Sequence, residues 1–162
     1  MHDARIVANE ILRRAWDFGV DLSQIDIQKI TYFLHGHHLL DHGTPLIGTE
    51  FQALHYGPVQ TVLLESFRKW GDEPIRELAT RFDPIRRTHH EMPRLTDNAS
   101  MATIDRYLER YLEIPSFAMV EMTHSPGTPW SETMQRARNA VNIGMLITNE
   151  MISARFEGIT SA

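Results

Sequence analysis

The strongest constraint on this chain is an apolar period of three to four residues that recurs along it and is cut each time by glycine or proline. Over residues 4–18, Val7, Ala8, Ile11, Leu12, Ala15 and Phe18 fall on one helical face, and Gly19 stops the run. Ser23, with Asp26 three positions on, reads as an N-cap and its reciprocal acid. It opens a second helix through Leu40 in which Ile27, Ile30, Phe33, Leu34 and His37 or His38 share a face, and His42-Gly43 closes it. Gly57-Pro58 reads as a helix start with Pro58 in the first turn, followed by Val59, Val62, Leu63, Ser66, Phe67 and Trp70 up to Gly71.

Further along, Thr96 or Asp97 can cap a helix carrying Met101, Ile104, Leu108, Tyr111 and Leu112, and Pro115 separates it from a shorter helix around Phe117 to Met122. Thr128 and Pro129 supply the N-cap and first residue of another, with Trp130 in its first turn. A last helix is expected from about Val141 to Phe156, with Ile143, Leu146, Ile147, Met151 and Ala154 inward. Between these periods, Glu50 to Tyr56 alternates loosely enough for a strand, and residues 72–95 lose periodicity under Pro74, Pro84 and Pro93. The pattern predicts a mainly α fold: a single compact helical domain over residues 4–156 with a small β element, a short strand or hairpin near residues 50–56 and 90–96, and a C-terminal tail at 157–162.

A chain of 162 residues, 42% apolar and 23% charged, suits one folded domain rather than a disordered segment. It holds no cysteine, which removes disulfides, thiolate nucleophiles and thiolate zinc ligands together. No basic leader precedes an apolar block and no long apolar run occurs, so the reading is cytoplasmic with no membrane partner. The net charge of −5 argues against nucleic acid as a partner, although Arg81, Arg86, Arg87, His89, His90 and Arg94 form one locally basic stretch.

Three features carry possible chemistry. His35, His37, His38, Asp41 and His42 include helical spacings that metal ligands use, but without the glutamate of an H-E-x-x-H pattern, and histidines on a helix surface are common; no metal or cofactor is expected. His124 could act as a base, yet no cysteine and no serine in a nucleophile-elbow context stands ready for it, so a buried, hydrogen-bonded histidine beside a packed Trp130 is expected and no residue is assigned as catalytic. Tyr56-Gly57-Pro58-Val59 could offer helix N-terminal amides to an anion, but Pro58 removes one of them, which favours a rigid strand-to-helix entry.

Three islands then go together. Leu22-Ser23 followed by Ile27-Gln28-Lys29-Ile30-Thr31-Tyr32-Phe33, then Glu50 to Val59 with Ala53, Tyr56, Gly57 and Pro58, then Thr123-His124-Ser125-Pro126-Gly127-Thr128-Pro129-Trp130 resemble, in this order and separation, the Panacea domain of phage-associated, SocA-like antitoxins. Leu54 stands where the family usually has tryptophan, and the His124-to-Trp130 loop carries an inserted residue. The resemblance implies a non-enzymatic protein that binds and neutralises a cognate toxin, or alternatively an adaptor that delivers the toxin to a AAA+ protease. It also implies that Ile27, Lys29, Ile30, Tyr32, Phe33, Ala53, Tyr56, Gly57, Pro58, Val59, His124, Pro129 and Trp130 are scaffold. Recognition is then expected in the variable surface, first at the 72–95 segment through Arg81, Arg86, Arg87 and Arg94, with Lys29 pairing an acidic group inside the fold or on the toxin.

Overall fold

The computed structural model describes residues 1–139 and 145–160. Its organising element is α2 (Gln24–His42), in which every residue from Ile27 to Leu39 is buried. Around it pack α1 (Ala4–Asp17), α3 (Thr61–Phe67), α4 (Asn98–Leu112), α5 (Ser116–His124) and α7 (Asn149–Arg155). A helix enclosed on all sides is normally apolar all round. This one is not, and its polar residues fasten it to its neighbours: Gln28 exchanges two hydrogen bonds with the backbone of Gln60, and His38 pairs with Thr103 on α4. Gly36 completes the fit, because a methyl group there would collide with the ring of Phe156.

The expected helix starts hold where local chemistry decides them. Ser23 and Asp26 form the reciprocal cap of α2, Gly43 closes that helix in the left-handed region at φ 67°, and Asp97 caps α4 through the Ser100 amide. Thr128 caps α6 (Pro129–Asn139) through the Ser131 amide, and α5 spans slightly more than its expected residues. Phe18, expected inward, is the residue after α1 and stands largely exposed.

Two expectations fail, both where long-range pairing overrides local signals. Gly57-Pro58-Val59 is not a helix start but β2, paired antiparallel with β1 (Phe51–Leu54), so that Ala53 faces Pro58. Proline is tolerated because β2 is an edge of the sheet ordered β2-β1-β5 and needs no ladder donor on its outer side. Helix α3 begins only at Thr61, since Gln60 is held extended by Gln28 and by two bonds to Thr49.

The last helix is also shorter than its apolar period suggests. Val141 and Ile143 lie outside the described residues, but Leu146-Ile147 is β5, paired with β1, and Thr148 caps α7 only from Asn149 onward. Leu146 points outward while Ile147 is fully buried, the alternation of a strand. Beyond it α8 (Glu157–Thr160) adds a helical turn whose Ile159 is buried, so the chain does not leave the domain at 157.

The 72–95 excursion contains a second sheet, β3 (Thr80–Asp83) against β4 (Thr88–Glu91). The strand expected near 90–96 thus starts earlier and stops at Glu91. No described helix is long and apolar enough to cross a membrane.

Candidate functional site

The three motif islands, distant in sequence, meet at Lys29. Its side chain is buried and its ammonium donates to the Pro58 carbonyl at 2.9 Å, with no carboxylate paired to it among the described residues. The expected pairing with an acidic group in the fold is therefore replaced by a backbone contact, and burial draws the lysine pKa down to about 7. Such a residue is a clamp on the β1–β2 hairpin and does not reach a partner from the surface.

Trp130 closes the same junction by donating its indole N–H to the Leu54 carbonyl at 2.8 Å, and the His124 ring stacks on it with centroids 3.8 Å apart. His124 differs from expectation in two respects: the residue is half-buried rather than buried, and its Nε2, shielded from solvent, has no hydrogen-bond partner among the described residues. Desolvation, followed by the nearby charges of Lys29 and His55, lowers its pKa. Ile27, Ile30, Tyr32, Phe33 and Ala53 are core, Val59 and Pro129 are buried, and Tyr56, in the turn between β1 and β2, is exposed although expected as scaffold.

Three of the four histidines of α2, His35, His37 and His38, are buried, and His42 in its last turn is exposed. His35 accepts the Ile47 amide at Nδ1 and so donates from Nε2 to Asn149 at 2.8 Å; His37 bonds the Tyr111 hydroxyl and stacks on Tyr107. Burial pulls His35, His37 and His38 each down to about 4. His37 and His38 bond Tyr111 and Thr103 on α4 while His35 bonds Asn149 on α7, and among the described residues no group of three or more histidines and acids is placed to hold a metal ion.

The exposed chemistry lies in the β3–β4 hairpin. Arg81 faces His90 and Phe82 faces His89 across the ladder. The turn Pro84–Arg87 is set by Asp83, whose Oδ1 accepts the Ile85 and Arg86 amides at 2.8 and 3.1 Å, and it closes with Arg87 at φ 53°. The Arg86 amide bond is the leading cause that holds the Asp83 carboxyl below its ordinary value. This order presents Ile85 at the tip with 92% of its surface exposed and Phe82 with 51%.

Arg81, Phe82, Arg86 and His90 line a cleft of about 540 Å³ along the hairpin. Arg94, by contrast, is paired with Glu10 at 3.3 Å beneath it. Asn9 anchors the arm by exchanging two hydrogen bonds with the backbone of Ala79. The arginines are expected from the sequence and Ile85 is not, although an apolar residue directly after Asp83-Pro84 signals an apolar turn tip.

No solved structure matches this chain. Over 154 residues it is 30% identical to the protein named antitoxin SocA of Caulobacter vibrioides (strain NA1000 / CB15N), a match covering 95% of this chain and 82% of that protein. Residues 27–131 match the family described as antitoxin SocA-like, Panacea domain, a span that takes in the first island from Ile27 onward and the whole of the other two. With that junction intact from α2 to the first turn of α6, the chain belongs to the SocA-like, Panacea-domain antitoxin family.

Proposed function

We propose that this chain is an antitoxin without catalytic activity, which neutralises a partner toxin by direct protein–protein contact through the β3–β4 arm. The observation that carries the reading is an ordered turn holding an almost fully exposed isoleucine among Arg81, Arg86 and Arg87. Fixing an apolar tip in water gains nothing for folding, and an apolar anchor ringed by guanidinium groups suits an acidic-rimmed socket on another protein. The family supports the antitoxin role, and the Lys29 junction uses none of the residues of the arm. An interface of standard size, about 1,600 Å² in total, would let the arm and its flanks occlude the active surface of the toxin.

The test is growth of cells expressing the neighbouring reading frame alone and together with this chain. Rescue by the chain supports the reading, and its absence overturns it. The double variant Arg86→Glu/Arg87→Glu should lose rescue and weaken the purified complex while its melting temperature is unchanged; undiminished affinity would remove the arm from the interface. Toxin lifetime with a AAA+ protease separates two modes: a stable complex supports occlusion, and faster toxin loss in the presence of the chain assigns delivery instead.

A further inference from the structure

Beneath the arm, between the C-terminal half of α1 and Arg94, lies a pocket of about 610 Å³ that sequence reading gave no reason to expect. Its charged wall is unbalanced. Arg14 is already engaged, with Glu10 Oε1 at 3.2 Å and with Asp105. Arg13 and Arg94 are left to share Glu10 Oε2, at 3.7 and 3.3 Å. Neither pairing is a hydrogen bond: Glu10 Oε2 and Arg13 Nη1 are both buried with no hydrogen-bond partner among the described residues.

We infer that this pocket is a docking site for a segment of a partner protein in which an acidic residue neighbours an apolar one. The inference rests on reading the chain as a protein binder and names the chemistry of what it binds. A carboxylate from the partner would accept from Arg13 and Arg94, and the Arg13 nitrogen has no hydrogen bond to give up in turning toward it. Trp16, Phe18 and Met101 form the apolar wall, with Phe18 already largely exposed at the rim.

The remaining lining favours a peptide over a phosphate. Glu10 Oε2 needs a donor, which a peptide N–H supplies and a phosphate dianion does not. Asp17, exposed at the rim and without an ion pair among the described residues, repels a dianion more than a single carboxylate. The site is also continuous with the arm, since Arg13 and Trp16 line a neighbouring cleft that reaches Thr80 and Glu91 at the feet of β3 and β4. A partner gripped by the arm can therefore reach the pocket.

The test selects peptides from a random displayed library on the full chain, with counter-selection on the Arg13→Gln/Arg94→Gln variant. Enriched sequences should place Asp or Glu next to an aromatic, leucine or methionine residue. The best synthesised peptide should lose about tenfold or more in affinity both for that variant and when its acid is replaced by the amide. It should also shift the Trp16 indole resonance.

Because the double variant disturbs a buried carboxylate, Phe18→Ser gives a second reading at an exposed position: weaker peptide binding with an unchanged melt. Selection without acidic enrichment, binding that survives all these changes, or displacement of the peptide by millimolar inorganic phosphate would overturn the inference. If toxin rescue fails while an acidic peptide still binds, the antitoxin reading falls alone. If rescue persists without acidic enrichment, only the pocket assignment falls.

Discussion

Gly57 and Lys29 approach so closely that no side chain fits between them: a Cβ on Gly57 would lie 3.0 Å from the Lys29 ammonium nitrogen and 2.6 Å from the Thr123 hydroxyl, with φ already at 99°. Gly57→Ala should therefore cost about 2–4 kcal/mol, the backbone penalty plus a displaced clamp. Gly43→Ala is the control. It has φ 67° and open space around it, so only the backbone penalty of about 1 kcal/mol applies. Urea denaturation of both variants measures the difference, and equal losses would show that the junction yields easily.

Acid should destabilise the protein well above the carboxylate range. Unfolded, His35, His37 and His38 titrate near 6.5; folded, burial holds each near 4. Between those values the unfolded chain carries more protons, so stability is complete above about 6.5 and falls as the pH drops toward 4, by up to about 1.4 kcal/mol per unit for each ring. Lys29 acts in the same sense at higher pH, because its folded value near 7 lies below its ordinary 10.5. Melting temperature should thus rise from pH 5 through neutrality, and Lys29→Met should flatten the part above pH 7. A flat profile between pH 5 and 6.5 would contradict the buried, neutral histidines.

Trp130 separates a hydrogen bond from a packing contribution. Trp130→Phe keeps a ring over His124 and loses the bond to the Leu54 carbonyl, which should cost about 1–2 kcal/mol. Trp130→Ala also removes the stacked surface and should cost about 3 kcal/mol, the low end for a large aromatic because this one is half-buried. Chemical denaturation resolves the two.

The arm should loosen without the domain unfolding when Asn9 is changed. Its amide satisfies both the N–H and the C=O of Ala79 in a buried setting, and no other residue type of that size offers a donor and an acceptor at that reach. Asn9→Ala should cost about 2–3 kcal/mol and raise amide exchange from Ile75 to Met92, while α2 and α4 stay protected. Exchange read by mass spectrometry after proteolysis checks the localisation.

Local chemistry was enough to read much of this protein. The Ser23–Asp26 cap, the Gly43 terminator, Asp97 before α4 and Thr128-Pro129 before α6 each act through atoms within a few residues, so they are visible in sequence and hold in the structure. Pro58 and residues 146–147 were misread because their alternatives are helical by period alone. What turns them into strands is pairing with β1, made by residues far along the chain. The expected acidic partner of Lys29 gives way to the Pro58 carbonyl for the same reason, since charge is legible in sequence and the group that packs against it is not.

By itself, then, the sequence determined the helices that carry their own stop and start signals, the α-rich class and the family to which its three islands point. Only tertiary structure decided that α2 is enclosed from Ile27 to Leu39, that His35, His37 and His38 are buried and bonded to α7 and α4, and that Ile85 rather than an arginine stands at the tip of the arm. The physical reason is range: caps and turns are settled by neighbours in the chain, whereas burial, edge pairing and shared ion pairs such as Arg13 and Arg94 over Glu10 exist only after distant segments have packed.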